Sequence, residues 1–473
     1  MKLSLNSMIK FLWAAVLFTL PVTSFRYFPF LGDKTYVRPL ALYPLALLMP
    51  LLLIQLMRKK VQNPFPGGVI LLGVFVAAAL TASSFGNLID PLPMRGQTYI
   101  GRDMRALVTL AIGIVFFMAS VWMNRDEDDL RFTVKWILAG LVMNILWSGL
   151  QAVTFYTNLL DKVMVTHWQL AFSVRELVRT NRISGMAYEP SWLAGQLATL
   201  YLPWLVAAML AGTRLTRWKW LEPALLAVTL GLLIATYSRG GILISTGVTG
   251  LVILLVGRPW LKSVWVWFIS GLHGKFAGLL VRLTLAVAVL AVVVATFVFL
   301  GQKNYFRRLW EIDAESLVEY MVDINAGARS AYVAGALGAY EQSPLTGVGL
   351  GASGLYIYDN LPDWALTTVP EIARQLSPES RLYPNPKNMY VRLLSETGLL
   401  GFVLFLTFQF SVLGDALTFL PKDGLRRFMG VVGLFSWLSI GLYNFTQDSL
   451  ATPNIWLIPG ILVGMTSTLK ENP

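Results

Sequence analysis

The chain has no cysteine, so no disulfide can staple its loops and no thiol chemistry is open to it. Histidine is nearly as scarce, with only His167 and His273. A metal site built on imidazole would lack ligands, and no carboxylate cluster has the spacing to replace it. No metal and no cofactor is therefore expected. Charge is sparse too: Asp, Glu, Lys and Arg make up 14% of 473 residues. That is too little polar surface for a soluble protein of this size. The net charge of +12 sits largely in short segments between apolar runs, and nucleic acid is not an expected partner.

What fills the chain instead is apolar sequence, 56% of residues, with a mean hydropathy of +0.61. Windows of about 19 residues give about twelve candidate membrane helices. They fall near 8–24, 38–57, 67–84, 105–123, 132–155, 191–212, 221–237, 241–257, 278–300, 389–414, 428–446 and 452–469. The expectation is one all-α polytopic membrane domain spanning 1–473, with the lipid bilayer as its solvent. The first apolar run follows Lys2 and Lys10 as a secretory signal would. It is long, however, and no small-residue cleavage site follows before Phe25-Arg26, so an uncleaved first helix is expected.

Short loops set the orientation. Arg58-Lys59-Lys60, Arg214 with Arg217 and Lys219, Arg258 with Lys262, and Lys422 with Arg426-Arg427 fall on one side. By the positive-inside rule that side is cytoplasmic, with both termini there. The long segment 301–388 then becomes one large extracytoplasmic loop, and 24–38, 85–104, 156–190 and the Ser238-Arg239 turn share its side. On this topology each side carries nineteen basic residues, but fifteen of the outer nineteen are Arg. Guanidinium pairs bidentately with phosphate, whereas ammonium acts as a point charge. The outer excess fits a phosphate or pyrophosphate ligand, or surface ion pairing with the outer acids.

Arg239 stands out. It lies between two apolar runs each long enough to span, and Gly240 and Gly241 follow it. An arginine at hydrocarbon depth costs roughly 2.5–3.5 kcal/mol on insertion scales unless it reaches water, a partner or an anion.

The loop 301–388 is too long to be a connector. It carries Arg307-Arg308, Glu311, Asp313, Glu315 and Arg329, then the run Pro344-Leu345-Thr346-Gly347-Val348-Gly349-Leu350-Gly351. Positions 349–354 match G-x-G-x-x-G in form, but no strand–turn–helix unit surrounds them, so the dinucleotide reading is rejected. A tight re-entrant turn against the membrane face is expected instead. Segment 260–272, with Trp260, Trp265, Trp267 and Phe268, reads as an interfacial amphipathic anchor. Tyr356, Tyr358, Trp364 and Tyr383 either anchor at the interface or stack on sugar rings.

Four pieces of sequence together resemble the O-antigen ligase and Wzy-type polymerase superfamily, integral membrane glycosyltransferases with a GT-C-like helical fold. The first is Arg182-Ile183-Ser184-Gly185 leading to Tyr188-Glu189-Pro190-Ser191-Trp192-Leu193-Ala194. The second is Ser238-Arg239-Gly240-Gly241. The third is Arg329 with Pro344 to Gly351. The fourth is Asn388-Met389-Tyr390 with Glu396-Thr397-Gly398-Leu399-Leu400-Gly401. Many members carry His-Asn before the helix that follows the large loop, with the His catalytic; here Lys387 precedes Asn388. A lysine base needs a pKa lowered by several units, so Lys387 either plays that part or holds a phosphate.

The resemblance implies transfer of an oligosaccharide from polyprenyl pyrophosphate to a sugar hydroxyl, on the outer face of a bacterial inner membrane. The Glu-Pro-Ser sequence after Arg182 looks more like the polymerases, which use a second lipid-linked repeat unit as acceptor, than the ligases, which use lipid A–core. A chain-length regulator is a further expected partner. In this reading Arg239, Arg182 and Arg329, with Arg102 and Arg105, grip the pyrophosphate without a metal. Glu189 is the candidate base, or a carboxylate placed by helix dipole at the first turn beginning with Pro190. Tyr188, Asn388, Tyr390 and Arg392 complete the candidate substrate contacts. Arg392 and Glu396, at i,i+4 spacing, also suit a structural ion pair. Gly231, Gly398 and Gly401 suit close helix packing.

A transporter of lipid-linked oligosaccharide is the reading from another class. Against it, the halves show no inverted repeat and the polar residues gather at outer helix ends. A scaffold for polysaccharide assembly is a third.

Overall fold

Every apolar segment expected to cross a membrane is helical in the computed structural model of the chain. The structure describes residues 4–27, 35–58, 63–89, 91–157, 159–177, 181–271, 276–307, 309, 314–324, 326–377, 379–380 and 382–469. Lys59, Lys60, His273, Arg308, Glu311 and Asp313 lie outside them.

The helices are α1 (Leu5–Thr19), α2 (Leu42–Met57), α3 (Gly67–Ile89), α4 (Tyr99–Met123), α5 (Glu127–Tyr156) and the short α6 (Lys162–Leu170). Then come α7 (Pro190–Gln196), a π turn (Leu197–Tyr201), α8 (Leu202–Ala211), α9 (Leu221–Ala235), α10 (Arg239–Val256), α11 (Arg258–Ile269) and α12 (Phe276–Gly301). Segment 302–388 holds six short helices: α13 (Asn304–Arg307), α14 (Leu317–Asp323), α15 (Gly327–Gln342), α16 (Gly354–Ile357), α17 (Asp363–Thr368) and α18 (Pro370–Leu376). The chain ends in α19 (Met389–Phe419), α20 (Gly424–Tyr443) and α21 (Leu457–Leu469).

Eight of these, with α7 to α8 counted as one, are long and apolar enough to cross a membrane among the described residues. That is fewer than the twelve segments expected, because α1, α2 and α9 are apolar but run only 15 or 16 residues, and α21 has 13. A helix rises 1.5 Å per residue, so about 20 residues are needed for the full hydrocarbon thickness. No strand occurs among the described residues.

Local chemistry sets the ends. Thr98, Asp126, Ser238 and Asn388 each accept an amide hydrogen bond at the start of α4, α5, α10 and α19. Glu127, Asp128 and Asp129 reinforce the first turn of α5. Pro190 opens α7 as expected. Pro203 has no N–H to give the Thr199 carbonyl, so the helix widens into a π turn there. The Ser436 hydroxyl approaches that carbonyl at 3.5 Å.

The core runs through α4, α7, α8, α20 and α21, where Phe116, Trp204, Phe435 and Trp456 are fully buried or nearly so. Small residues let backbones touch: a Cβ on Gly460 would lie 2.6 Å from the Phe117 carbonyl oxygen, and one on Gly464 would lie 2.6 Å from that of Val121. The first helix belongs to this core, with Trp13 donating to Thr133 at 2.9 Å. By contrast α12 is almost wholly exposed and apolar apart from Arg282 near its start, a surface suited to lipid.

Loops sort onto two ends. Arg125 donates to Ser467 and to the Asn63 carbonyl, Trp122 to the Pro64 carbonyl, and Arg426 faces Glu127. At the other end Arg26 donates to the Leu170 carbonyl, Arg95 to the Leu382 carbonyl, and the Lys387 amide to Asp448. Each contact joins segments that the charge pattern assigns to one side.

Candidate active site

Three of the candidate arginines stand where α9 meets α10. The chain leaves α9, turns through Thr236-Tyr237-Ser238, and begins α10 at Arg239. Tyr237 takes φ +48°, an uncommon value for a residue with a Cβ. Arg182 holds the turn: its Nε donates to the Thr236 carbonyl at 2.9 Å and Nη2 to that of Tyr237 at 3.3 Å. Arg239 reaches out to the Ile324 carbonyl, 2.6 Å away, just before α15. Arg329 is exposed on the first turn of α15.

Glu189 starts α7 in an extended conformation and makes no side-chain cap bond; its Oε2 accepts from Ser191 at 3.0 Å. The Tyr443 phenol, packed against Gly195, lies within electrostatic reach of both Glu189 and Arg329. Tyr443 has no role in the sequence reading, where it is one more aromatic at a helix end. Tyr188 stacks on Tyr36 with ring centroids 4.7 Å apart, and Arg175 stands 5.7 Å from its ring. Burial raises the Tyr188 phenol above its ordinary pKa, so it stays a hydrogen-bond donor at neutral pH.

The fourth piece of the sequence signature surrounds the loop 444–449. The Lys387 backbone sits at φ +52° and its amide donates to the Asp448 carboxylate at 3.0 Å. Its ammonium lies 5.5 Å from the Tyr332 ring. Arg392 is largely buried, with Nε on Glu396 at 2.9 Å and Nη1 on the Asp448 carbonyl at 2.5 Å. The other oxygen of Glu396 accepts from Ser353 at 2.8 Å. Arg392 and Glu396 thus form the ion pair that their spacing suggests, and it holds the loop. Burial raises the Asp448 carboxyl, with the Arg392 charge and the Lys387 amide opposing. Asp448 was missed from the sequence; the only sign of it is that Asn444 to Ser449 is polar between two apolar runs.

Asn388 and Tyr390 both make hydrogen bonds within the protein. The Asn388 oxygen caps α19 through the Tyr390 and Val391 amides, and the Tyr390 hydroxyl donates to the Gly441 carbonyl at 2.8 Å. Arg102 lies flat on Tyr383, its guanidinium carbon 3.6 Å from the ring centroid, within reach of Arg392 and Glu396. Arg105 is exposed one turn on and touches Gln97 at 3.3 Å.

The glycine run links these groups. α19 is broken at Gly398 (φ 62°, ψ −171°). The carbonyls of Ser395 and Glu396 accept instead from Val348 and Gly349, while the amides of Leu399 and Leu400 turn to the carbonyls of Pro344 and Leu345. Loop 344–349 therefore satisfies the two bonds that a continuous helix would have made, which is how a break survives inside a membrane bundle. The re-entrant turn expected from the glycines is a plug in a broken helix.

The loop 443–449 is the common neighbour. Tyr443, which ends α20, lies within electrostatic reach of Glu189 and Arg329; Thr446 lies 4.0 Å from a Cβ built on Gly240, beside Arg239; Asp448 takes Lys387 and Arg392. Among the described residues no three His, Asp or Glu side chains meet as they would to hold a metal ion.

In comparison with known families, residues 224–406 fit the model described as O-antigen ligase. The resemblance to the O-antigen ligase and Wzy-type superfamily is thereby shown for that span, which holds Arg239, Arg329, Lys387, Asn388, Tyr390 and Arg392. Arg102, Arg105, Arg182, Tyr188 and Glu189 lie ahead of it. Members of this family are membrane glycosyltransferase-like enzymes, ligases or polymerases. No curated protein matches the chain.

Proposed function

We propose that the protein is a polysaccharide polymerase of the extracytoplasmic face of a bacterial inner membrane. It joins a glycan carried on polyprenyl pyrophosphate to the terminal sugar hydroxyl of a second lipid-linked repeat unit. The observation that supports this most is the convergence of Arg239, Arg329 and Lys387 with the carboxylates of Glu189 and Asp448 around residues 443–448 at a single end of the bundle, with Arg182 holding the turn before Arg239. Cations in excess over carboxylates suit an anionic leaving group, and Glu189 is the carboxylate left to take a proton.

The chemistry runs as follows. The anomeric C–O bond breaks and its electron pair stays on the pyrophosphate oxygen. Arg239, Arg329 and Lys387 bear on that developing charge as fixed cations. The acceptor oxygen forms the new bond to the anomeric carbon, and its proton passes to Glu189. Arg182 positions Arg239 by fixing the turn before it. Arg392 positions the Asp448 loop. Arg102 and Arg105 guide the anion from the side. No metal is required in this scheme, because guanidinium supplies the charge that a cation would.

The test is a reconstituted assay with polyprenyl-pyrophosphate oligosaccharide and EDTA, wild type against Arg239→Ala. A ladder of longer lipid-linked glycans from wild type alone supports the polymerase. Transfer seen only when a lipid A–core acceptor is supplied makes the protein a ligase. Movement of the lipid-linked glycan across the membrane without any new bond makes it a transporter.

A further inference from the structure

A second arginine pair, outside the site above, carries unpartnered nitrogens among the described residues. Arg38 is 6% exposed and its buried Nε has no hydrogen-bond partner there. Arg175 also has a buried Nε without a partner among the described residues, and its guanidinium carbon lies 5.7 Å from the Tyr188 ring centroid. A buried charge without a counter-ion is costly and is retained where a ligand completes it.

The backbone brings the pair together. Arg38 exchanges hydrogen bonds with Thr23 and Phe25, at 2.9 and 2.7 Å. Val174, next to Arg175, donates to the Ser24 carbonyl from the other flank at 3.2 Å. The Thr23 hydroxyl in turn accepts from the Tyr188 amide at 2.9 Å. Three segments distant in sequence thus converge on residues 23–25, with the stacked rings of Tyr36 and Tyr188 beside them. Glu189 is the next residue.

We propose that Arg38 and Arg175 form a second phosphate-binding site, which takes the pyrophosphate of the acceptor unit. This site rests on the polymerase reading, since only that reaction brings two pyrophosphate-linked lipids to one enzyme. Guanidinium suits phosphate oxygen through paired hydrogen bonds. An acceptor anchored at Arg38 lays its sugars over Tyr36 and Tyr188 and ends toward Glu189.

The experiment uses the full chain in phosphatidylcholine nanodiscs, titrated with polyprenyl pyrophosphate by calorimetry. Wild type binds two equivalents. Arg38→Gln weakens one of them by about tenfold or more, the size expected for a lost charge-assisted hydrogen bond, and Arg38→Lys restores part of it. Arg239→Ala weakens the other and leaves this one. With donor saturating, Arg38→Gln raises KM for the acceptor unit by a similar factor and leaves kcat within about twofold. If Arg38→Gln does not give a monodisperse protein, Arg175→Gln is read in its place, with the same expected loss. A single site in wild type, or two unchanged sites in the variant, overturns the proposal. So does displacement of the second equivalent by phosphatidylglycerol at equal concentration, which would make the site one for membrane headgroups. The two readings fail separately. Arg38-dependent binding of a second equivalent without chain growth sinks the polymerase and keeps the site. Chain growth onto a phosphate-free acceptor, equally fast in wild type and variant, does the reverse.

Discussion

Gly347 and Gly398 meet backbone to backbone. A Cβ built on Gly347 would lie 2.4 Å from the Gly398 nitrogen, and one built on Gly398 would lie 2.6 Å from the Gly347 nitrogen. Both residues take positive φ, +74° and +62°, so a side chain meets strain as well as collision. Left-handed backbone costs an L-residue about 1–2 kcal/mol and overpacking about 1–3. Gly347→Ala and Gly398→Ala are each expected to destabilise the protein by about 2–4 kcal/mol. The two changes release the same plug, so the double variant loses less than the sum. Thermal melting in detergent, with polymer formation measured alongside, checks this. Independent, additive losses would mean that loop and helix break do not support each other.

This contact also marks how far the sequence could be read. Hydropathy placed the helices, because the bilayer demands long apolar runs, but it did not foresee that α1, α2, α9 and α21 fall short of a full crossing. It could not foresee that α19 breaks at Gly398, because the compensating hydrogen bonds come from residues 344–349, some fifty positions upstream. The glycine motif and the Glu-Thr-Gly motif were visible separately; only the fold shows they are two halves of one device. Arg239 and Glu189 were legible as charges at helix ends, and Arg182 as part of a motif in the loop before α7. Asp448 and Arg38 were not, since single charges in short loops look alike until burial distinguishes them. Arg392 was read as a substrate contact as well as half of an ion pair. The structure spends its guanidinium on Glu396 and the Asp448 carbonyl.

Arginine-to-lysine changes should separate positioning from direct contact. Arg182→Lys cannot bridge the Thr236 and Tyr237 carbonyls as the guanidinium does. It is expected to lower both melting temperature and turnover. Arg329 is exposed, so Arg329→Lys should fold as wild type does while turnover falls, by about 10²-fold if it bears on the leaving group. Turnover of lipid-linked units and melting, measured on the same preparations, distinguish the two. Unchanged polymer length and yield in Arg182→Lys, Arg239→Lys and Arg329→Lys together would remove pyrophosphate binding from these residues.

Glu189→Gln tests the base. The substitution retains an oxygen to accept from Ser191, and Pro190 still opens α7, so the helix start is expected to survive. General-base catalysis contributes typically about 10²–10⁴-fold, and a loss of that order in kcat is expected with little change in KM. Retained turnover would leave Glu189 as a helix-terminal carboxylate or a sugar contact. Turnover that falls only through a higher KM would assign it to acceptor binding.

Asp448→Asn gives a pH test of the loop that the candidate groups share. Burial holds the native Asp448 pKa above its ordinary 3.8, despite the Arg392 charge and the Lys387 amide. Between the unfolded and native values the folded protein keeps a proton that the unfolded chain has released. Stability from this group is therefore fully present below about pH 4 and is lost as pH rises through the native pKa. Above that point the buried carboxylate works against the fold. Asparagine still offers an oxygen to the Lys387 amide, and the Asp448 backbone carbonyl that Arg392 uses is untouched. The variant is thus expected to gain on wild type as pH rises from about 4 toward 8, and its own profile to be flatter there. Melting temperatures of both proteins across that range decide it. If wild type instead gains on the variant with rising pH, the Arg392 and Lys387 charges outweigh burial, and Asp448 is an ionised partner that holds the two cations in place.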